Sequence, residues 1–415
     1  MATRTTPCAA LALAAALFCW TATAAEPVRI GFSMALTGGT AAIGKQILLT
    51  FELWRDQVNA KGGLLGRPVE LVYYDDQTNP SVVPGIYAKL INVDKVDLLI
   101  GPYATNMVAA ALPIIMQYGK TTIGLLANAA NSNFHYANYF SMIPSGPNPK
   151  ASFSEGYFTL AAAQTPKPRT VAIVGADAEY ARNATDGARE LAAKFGFEIV
   201  YDKSYPPSNT DYTPILRAIQ AVHPDIVYVA SYPPDSVGII RAANEIGLDT
   251  KMFGGAMVGP QITATAMQLG PLLNGIVNNA AFVVDDIMAN PETAAVLRAY
   301  QEKAPAQGID PLGYTFPPYA FAAMQILAEA VTATKGFDQD KIAAYVRTHR
   351  FHTPVGDIAF GKDGEWDETR ALFGQFQHIT GNGIDQFRGW PHQPVLWPAK
   401  FKTGNLIYPY TAARN

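Results

Sequence analysis

Short apolar, β-branched runs recur along the chain, each closed by a turn signal and followed by a longer stretch with apolar residues every three or four positions. The runs are Val28 to Met34, Pro68 to Tyr74, Val96 to Ile100, Lys120 to Leu125, Thr170 to Val174, Phe197 to Tyr201, Asp225 to Ala230, Lys251 to Phe253 and Gly275 to Val284. Between them, Ile47, Phe51, Trp54 and Val58, or Ile215, Ile219 and Val222, fall on single helical faces and are expected to be core contacts. Strands alternating with helices make βαβ units and parallel sheets covered on both sides. The fold class is therefore α/β.

The pattern breaks once between the fourth and fifth runs, at "MIPSGPNPKAS", residues 142–152, with three prolines and a glycine. A break of that kind between two sets of about four units marks a crossover between domains. After the last run, helices are expected over Pro318 to Thr334 and Asp338 to Arg347, without enough new strands for a third sheet, so they pack back on an existing one. From Gly381 periodicity fades. Trp390, Trp397, Tyr408 and Tyr410 predict an extended tail over 381–415, pinned by aromatic anchors.

Composition agrees with a folded chain: 415 residues, 49% hydrophobic and 16% charged. That length exceeds what one core usually holds, so two domains are expected. Residues 1–25 run from Arg4 through an apolar stretch to small residues before Glu26, the pattern of a secretory signal peptide cleaved near Ala25. The stretch is too short to span a bilayer as an anchor. Both cysteines, Cys8 and Cys19, lie inside it, so the mature chain is expected to carry no disulfide. Its removal takes the formal charge from −3 to −4. Without a basic run, nucleic acid is not an expected partner.

Few residues announce chemistry. "GTAAIGKQ", Gly39 to Gln46, imitates a phosphate-binding loop, but Gln46 stands where such a loop needs a hydroxyl for magnesium. Asp75 and Asp76 are adjacent on an extended run and point to opposite faces, which reads as turn chemistry. His349 and His352 lack a third ligand, so neither a metal nor any cofactor is expected. No H-E-x-x-H or G-x-S-x-G occurs, and the chain is not expected to be an enzyme. What stands out is "LLIGPYATNM", residues 98–107, where a strand end, a hydroxyl and a helix N-terminus meet. Ligands of parallel sheets bind at such carboxyl ends, and free N–H groups at a helix start favour an anion. Thr105 is accordingly expected either to contact a carboxylate or merely to cap its helix.

The chain resembles the periplasmic solute-binding proteins of branched-chain amino acid ABC transporters, the leucine/isoleucine/valine-binding family. The resemblance is carried in order by "IGFSMALTG", "NAKGGLLGRPVELVYYDDQTNP", "LLIGPYATN", "VYVASYPPDSVGIIRAANEIGL" and "FGGAMVG", and spans Val28 to His378. It implies a type I periplasmic binding fold: two similar lobes, each a parallel sheet flanked by helices, joined by three crossovers and closing over a ligand. Lobe one would be 27–146 plus 282–355, and lobe two 147–281 plus 356–380. It further implies a periplasmic, monomeric protein serving a membrane-embedded ABC permease with its ATPase. Carried over by position, the carboxylate would be held by Tyr103, Ala104 and Thr105 and by Ala127 and Asn128, with Tyr180, Tyr232, Ala256 and Met257 facing them from lobe two.

The departure from the family lies in "FGGAMVG". Amino-acid binders carry an acid there for the ligand's ammonium, where this chain has Ala256 and Met257. An unpaired buried ammonium costs several kcal/mol. The expected ligand is therefore a small hydrophobic carboxylate without an amine. The alternatives are a hydrophobic amino acid whose ammonium is met by another acid, such as Asp235, or a periplasmic sensor, for example of amides. An exported hydrolase would have only Asp75, Asp76 and His135 to work with.

Overall fold

The computed structural model describes residues 26–280, 290–389 and 391–414. The signal-peptide segment with its cleavage site and both cysteines, the expected crossover at 281–282 and Trp390 lie outside these residues.

The first five strands are β1 (Val28–Met34), β2 (Val69–Asp75), β3 (Leu98–Tyr103), β4 (Thr122–Leu125) and β5 (Tyr139–Met142), forming one parallel sheet in the order β2-β1-β3-β4-β5. Their connecting helices are α1 (Ala41–Ala60), α2 (Val83–Asn92) and α3 (Thr105–Gln117). The apolar runs bury on both faces, Val28, Ile30, Phe32 and Met34 being fully enclosed on one and Ser33 on the other. Gly44 lets α1 approach closely, because a Cβ there would lie 1.9 Å from the Ala35 carbonyl. Lys45 points to solvent and Gln46 is buried, its amide donating to Ala42, so the loop before α1 is a helix entry without the features of a phosphate site.

After the Pro-rich break, α4 (Pro149–Ala162) begins a second unit: β6 (Thr170–Ala176), α5 (Glu179–Phe195), β7 (Glu198–Tyr205), α6 (Thr213–Ala221), β8 (Ile226–Ser231), α7 (Pro233–Glu245), β9 (Met252–Met257), α8 (Thr263–Leu269) and β10 (Ile276–Ala280). Here β7, β6, β8, β9 and β10 are parallel neighbours in that order. The helices α9 (Pro291–Lys303), α10 (Phe316–Thr334) and α11 (Gln339–Thr348) pack back on the first sheet. Tyr300 and Ala304 cluster with Leu49 and Leu53, and Gln339 accepts from the Thr121 N–H through its side chain (2.9 Å) and from the Thr121 hydroxyl through its backbone carbonyl (2.6 Å).

Three expectations need correction. Val222 is 42% exposed, because it follows the last turn of α6 and has left the apolar face. The strand expected from Gly275 to Val284 is not among them: it is described from Ile276 to Ala280, and the rest lies outside the described residues. Residues 356–367 do not join the second lobe. They form the hairpin of β11 (Phe351–Thr353) with β12 (Gly356–Ile358) and a run bound to β5, where the Ser141 N–H donates to Gly364 (2.7 Å) and Trp366 stacks on Tyr319. Finally, the tail is more than an extended strap: within it β14 (Val395–Trp397) pairs with β13 (Leu372–Gln375), a strand before the tail that runs antiparallel to β10, and Tyr410 is buried against Phe253. Unpaired N–H and C=O groups at the sheet edge drive that addition.

The run 359–371 is laced to the first crossover. Arg370 donates its N–H to the Pro144 carbonyl (3.0 Å), and the Ser145 hydroxyl donates to Glu365 Oε2 (2.7 Å). Burial pushes the Glu365 carboxyl up to about 7, the Ser145 and Ser141 hydroxyls opposing and nearby Asp363 adding. Its folded form keeps its proton above its ordinary value of 4.5. The associated stability is thus fully present below about 4.5 and is lost as pH rises through about 7, a change on the order of 3 kcal/mol. Asp76 and Asp235, each raised to about 6 chiefly by burial, act in the same sense. The measurement is therefore a difference: Glu365→Gln is expected to melt several degrees above wild type at pH 8, with the gap narrowing at pH 5.

Candidate functional site

At the carboxyl end of β3 the backbone takes a conformation that side chains resist. Ala104 has φ 82° and ψ 148°, territory that costs about 1–3 kcal/mol for a residue with a Cβ. The kink is held by the Ala104 N–H donating to Leu125 (3.2 Å) and by its carbonyl accepting from Met107 and Val108. It turns the chain directly into α3, whose first two N–H groups, on Thr105 and Asn106, precede the intrahelical ladder and carry the positive end of the helix dipole. Thr105 is the first residue of that helix. Its hydroxyl caps nothing: Oγ1 accepts from the Asn128 N–H (2.9 Å), tying the end of β3 to the loop after β4. Of the two readings of Thr105, the plain helix cap has no hydrogen bond behind it.

Facing this junction is the start of α5. Tyr180 donates its hydroxyl to the Ala256 carbonyl (3.2 Å), and its N–H donates to the Tyr232 hydroxyl (3.3 Å). The Tyr180 and Tyr232 rings meet edge to face at 5.8 Å, Phe153 meets Tyr180 at 6.2 Å, and across the cleft Tyr103 meets Phe316 at 5.8 Å. Burial raises the phenols of Tyr103, Tyr180 and Tyr232 well above their ordinary value, so all three stay neutral.

These residues enclose an inner chamber of about 50 Å³ between the two sheets. Tyr103, Ala104, Thr105, Leu126, Ile143 and Pro144 line it on one side; Phe153, Tyr180, Tyr232, Val258, Gln261 and Asn279 on the other, with Phe316 beside Tyr103. Among the described residues no Asp, Glu, Lys or Arg lines it. An outer chamber of about 700 Å³ adjoins it and shares Tyr232. That chamber is polar at its mouth, where Arg182 pairs with Asp177 and Glu179 (both 3.0 Å) and Asp235 accepts from Tyr205. Asp235 thus reaches the outer chamber only.

Of the nine residues singled out from the sequence, five line the inner chamber: Tyr103, Ala104, Thr105, Tyr180 and Tyr232. The other four stand behind it. Ala256 and Met257 are fully buried in β9, where Met257 exchanges two hydrogen bonds with the Asn278 amide (2.9 and 2.8 Å), and the next residue, Val258, faces the chamber instead. Ala127 and Asn128 are also fully buried, Asn128 accepting through its carbonyl from Asn183 of α5 (2.9 Å), a bond that bridges the two lobes. The sequence reading missed Ile143, Pro144, Phe153, Gln261, Asn279 and Phe316. Ile143 and Pro144 lay inside the break read as a crossover, and the others sit in segments without a local signal.

Neither the hydrolase candidates, Asp75, Asp76 and His135, nor the histidines His349 and His352 make a site. Asp75 accepts from Leu36, Thr37 and Gln77 and Asp76 from Ser33 and Thr78, so both shape the turn after β2. His135 and His352 are exposed and each pairs with an aspartate. The described residues contain no group of three potential metal ligands.

Two α/β lobes completing one tyrosine-lined chamber, without a charged side chain among the described residues, define a protein that binds a ligand in its cleft. The periplasmic binding protein family profile matches residues 27–375, and the chain belongs to that family, in its type I, branched-chain amino acid division; its members are substrate-binding proteins, not enzymes. The leucine-, isoleucine-, valine-, threonine- and alanine-binding protein of Pseudomonas aeruginosa is 24% identical over 360 residues, 85% of this chain and 91% of the relative. Two solved structures share the fold. A branched-chain amino acid transporter substrate-binding protein of Streptococcus pneumoniae in complex with isoleucine superposes with TM-score 0.73 at 20% identity, covering 90% of this chain and all of that one. A solute-binding protein of R. palustris in complex with benzoate gives TM-score 0.73 at 20% identity, covering 89% and 96%. No helix among the described residues is long and apolar enough to cross a membrane.

Proposed function

We propose that the protein is exported, with cleavage near Ala25, and captures a small hydrophobic carboxylate without an amine between its lobes for delivery to an ABC permease and its ATPase. The observation that carries this reading is the inner chamber itself: helix-start N–H groups at Thr105 on one side, aromatic rings around, and, among the described residues, no acid to meet an ammonium. That one relative of this fold is in complex with benzoate, an acid without an amine, supports this reading; another, in complex with isoleucine, supports the alternative of a hydrophobic amino acid.

The ligand-binding set on this reading is Tyr103, Ala104, Thr105, Tyr180 and Tyr232, joined by Phe153 and Phe316. Asn128 acts behind it, positioning Thr105. Lobe one comprises 27–146 with 290–367 and lobe two 147–280 with 372 onward, and the protein works as a monomer. With the lobes as placed, 50 Å³ holds only a few waters, whereas small-molecule sites measure hundreds. An acid therefore enters with the lobes further apart or with Tyr232 turned toward the outer chamber. Closure follows because the ligand touches both lobes and shifts the hinge toward the state that the permease recognises.

Titration calorimetry with 3-phenylpropionate and its neutral amide tests the anion's part. The acid is expected to bind at least about tenfold tighter, since a hydrogen bond to a charged group is worth about 1.5–3 kcal/mol. Equal affinity, or tighter binding of the amide, would replace this reading with that of an amide sensor.

A further inference from the structure

The loop before α10, residues 308–315, is anchored on the first lobe and hydrogen-bonded to the second. Its anchors lie on α9, where the Tyr300 hydroxyl donates to the Asp310 carbonyl (2.7 Å) and the Gln301 amide to the Leu312 carbonyl (2.9 Å). The Asp310 carboxylate completes the turn, its Oδ1 accepting from the N–H groups of Leu312 (3.0 Å) and Gly313 (2.8 Å). Gly313 lets the turn lie flat on α9: its φ is +62°, and a Cβ there would come within 2.3 Å of the Tyr300 ring. Pinned at both carbonyls and by its own carboxylate, the loop is carried by the first lobe as one piece.

What the loop presents outward is taken up by the second lobe at separate segments. Asp310 Oδ2 accepts from the Ala264 N–H of α8 (3.1 Å), and the Thr315 hydroxyl donates to the Gln261 carbonyl (3.0 Å). Between them the Tyr314 hydroxyl accepts from the Gly389 N–H of the tail (3.3 Å). Asp310 and Thr315 are 5% and 8% exposed, so their bonds are stronger than they would be in water, and neither residue lines the inner or the outer chamber. We propose that this loop is a closure latch, in which Asp310 and Thr315 hold the lobes together before any ligand binds and without touching it. Parting the lobes breaks these bonds, so each weights the closed state over the open one and raises affinity for whatever the cleft takes. The tail gains a part as well, since Gly389 gives the latch its third partner. The latch follows from the two-lobe division proposed above and is independent of which ligand fills the cleft.

Two substitutions separate the latch from the fold. Asp310→Asn keeps a carbonyl oxygen for the turn and sets its amide NH2 against the Ala264 N–H, donor against donor; Thr315→Val keeps the shape and removes the hydroxyl. Solution X-ray scattering of the mature protein and both variants, without ligand, reads the separation of the lobes, and thermal melts check that each variant is folded. Asp310→Asn should lower the closed-to-open ratio by about tenfold and Thr315→Val by about fivefold, seen as a larger radius of gyration than that of wild type. 3-Phenylpropionate should then leave both variants faster by similar factors, with its association rate unchanged. Scattering curves that superimpose on that of wild type overturn the latch, as do unchanged off-rates. Should 3-phenylpropionate bind none of the three proteins, the acid-binding reading falls, and the scattering comparison still decides the latch.

Discussion

Alanine at Gly254 is expected to keep the protein from accumulating in folded form. Gly254 has φ +145°, and a Cβ built there lies 1.8 Å from the Val277 carbonyl oxygen and within 3 Å of two more backbone atoms of β10. Nothing at that contact is the end of a flexible side chain, so β9 and β10 must separate where Gly254 and Val277 are paired. Backbone strain and lost pairing together exceed about 4 kcal/mol, against a total stability of about 5–15 kcal/mol. The consequence reaches the site, since β9 presents the Ala256 carbonyl to which Tyr180 is anchored. Soluble yield and a thermal melt of Gly254→Ala, beside Gly85→Ala, where a Cβ meets no atom within 4 Å, check it. A Gly254→Ala protein melting within a few degrees of wild type would mean that β10 is free to shift.

Thr105→Ala is expected to weaken 3-phenylpropionate binding by about tenfold or more. The substitution strips the buried Asn128 N–H of its acceptor, which costs about 1–3 kcal/mol, and it removes the hydroxyl at the mouth of α3. Thr105→Ser keeps the hydroxyl and should bind within about threefold of wild type. Calorimetry on the three proteins reads this out. Unchanged affinity in Thr105→Ala would assign Thr105 to the fold alone.

Much of this was legible because the physics is local. Unbroken apolar runs such as Leu98-Leu99-Ile100 announce strands buried on both faces, and the Pro-rich stretch after Met142 announces a change of unit. The strand-end junction at Ala104–Thr105 was legible as well, since small and hydroxyl residues there precede a helical pattern. What the sequence hid depends on distant partners. β5 is four residues long, and β13 and β14 exist because an open sheet edge recruits them. Ala104 holds a conformation that an alanine would not advertise, and Gln261, Asn279 and Phe316 reach the chamber from three segments that only the fold brings together. The motif at 253–259 shows both sides. Its missing acid was readable, whereas the inward residue proved to be Val258, with Ala256 and Met257 locked into the sheet.

The central claim is that the cleft has no place for an ammonium, and a matched ligand pair tests it most directly. Thermal unfolding of the mature protein should be followed with L-phenylalanine and with 3-phenylpropionate, which differ only in the amine. A ligand that binds the native state raises the melting temperature according to its concentration over its dissociation constant. The account predicts stabilisation by 3-phenylpropionate and none by L-phenylalanine at equal concentration. Stabilisation by the amino acid and not by the acid would show that another carboxylate, Asp235 first, meets the ammonium, and would contradict it.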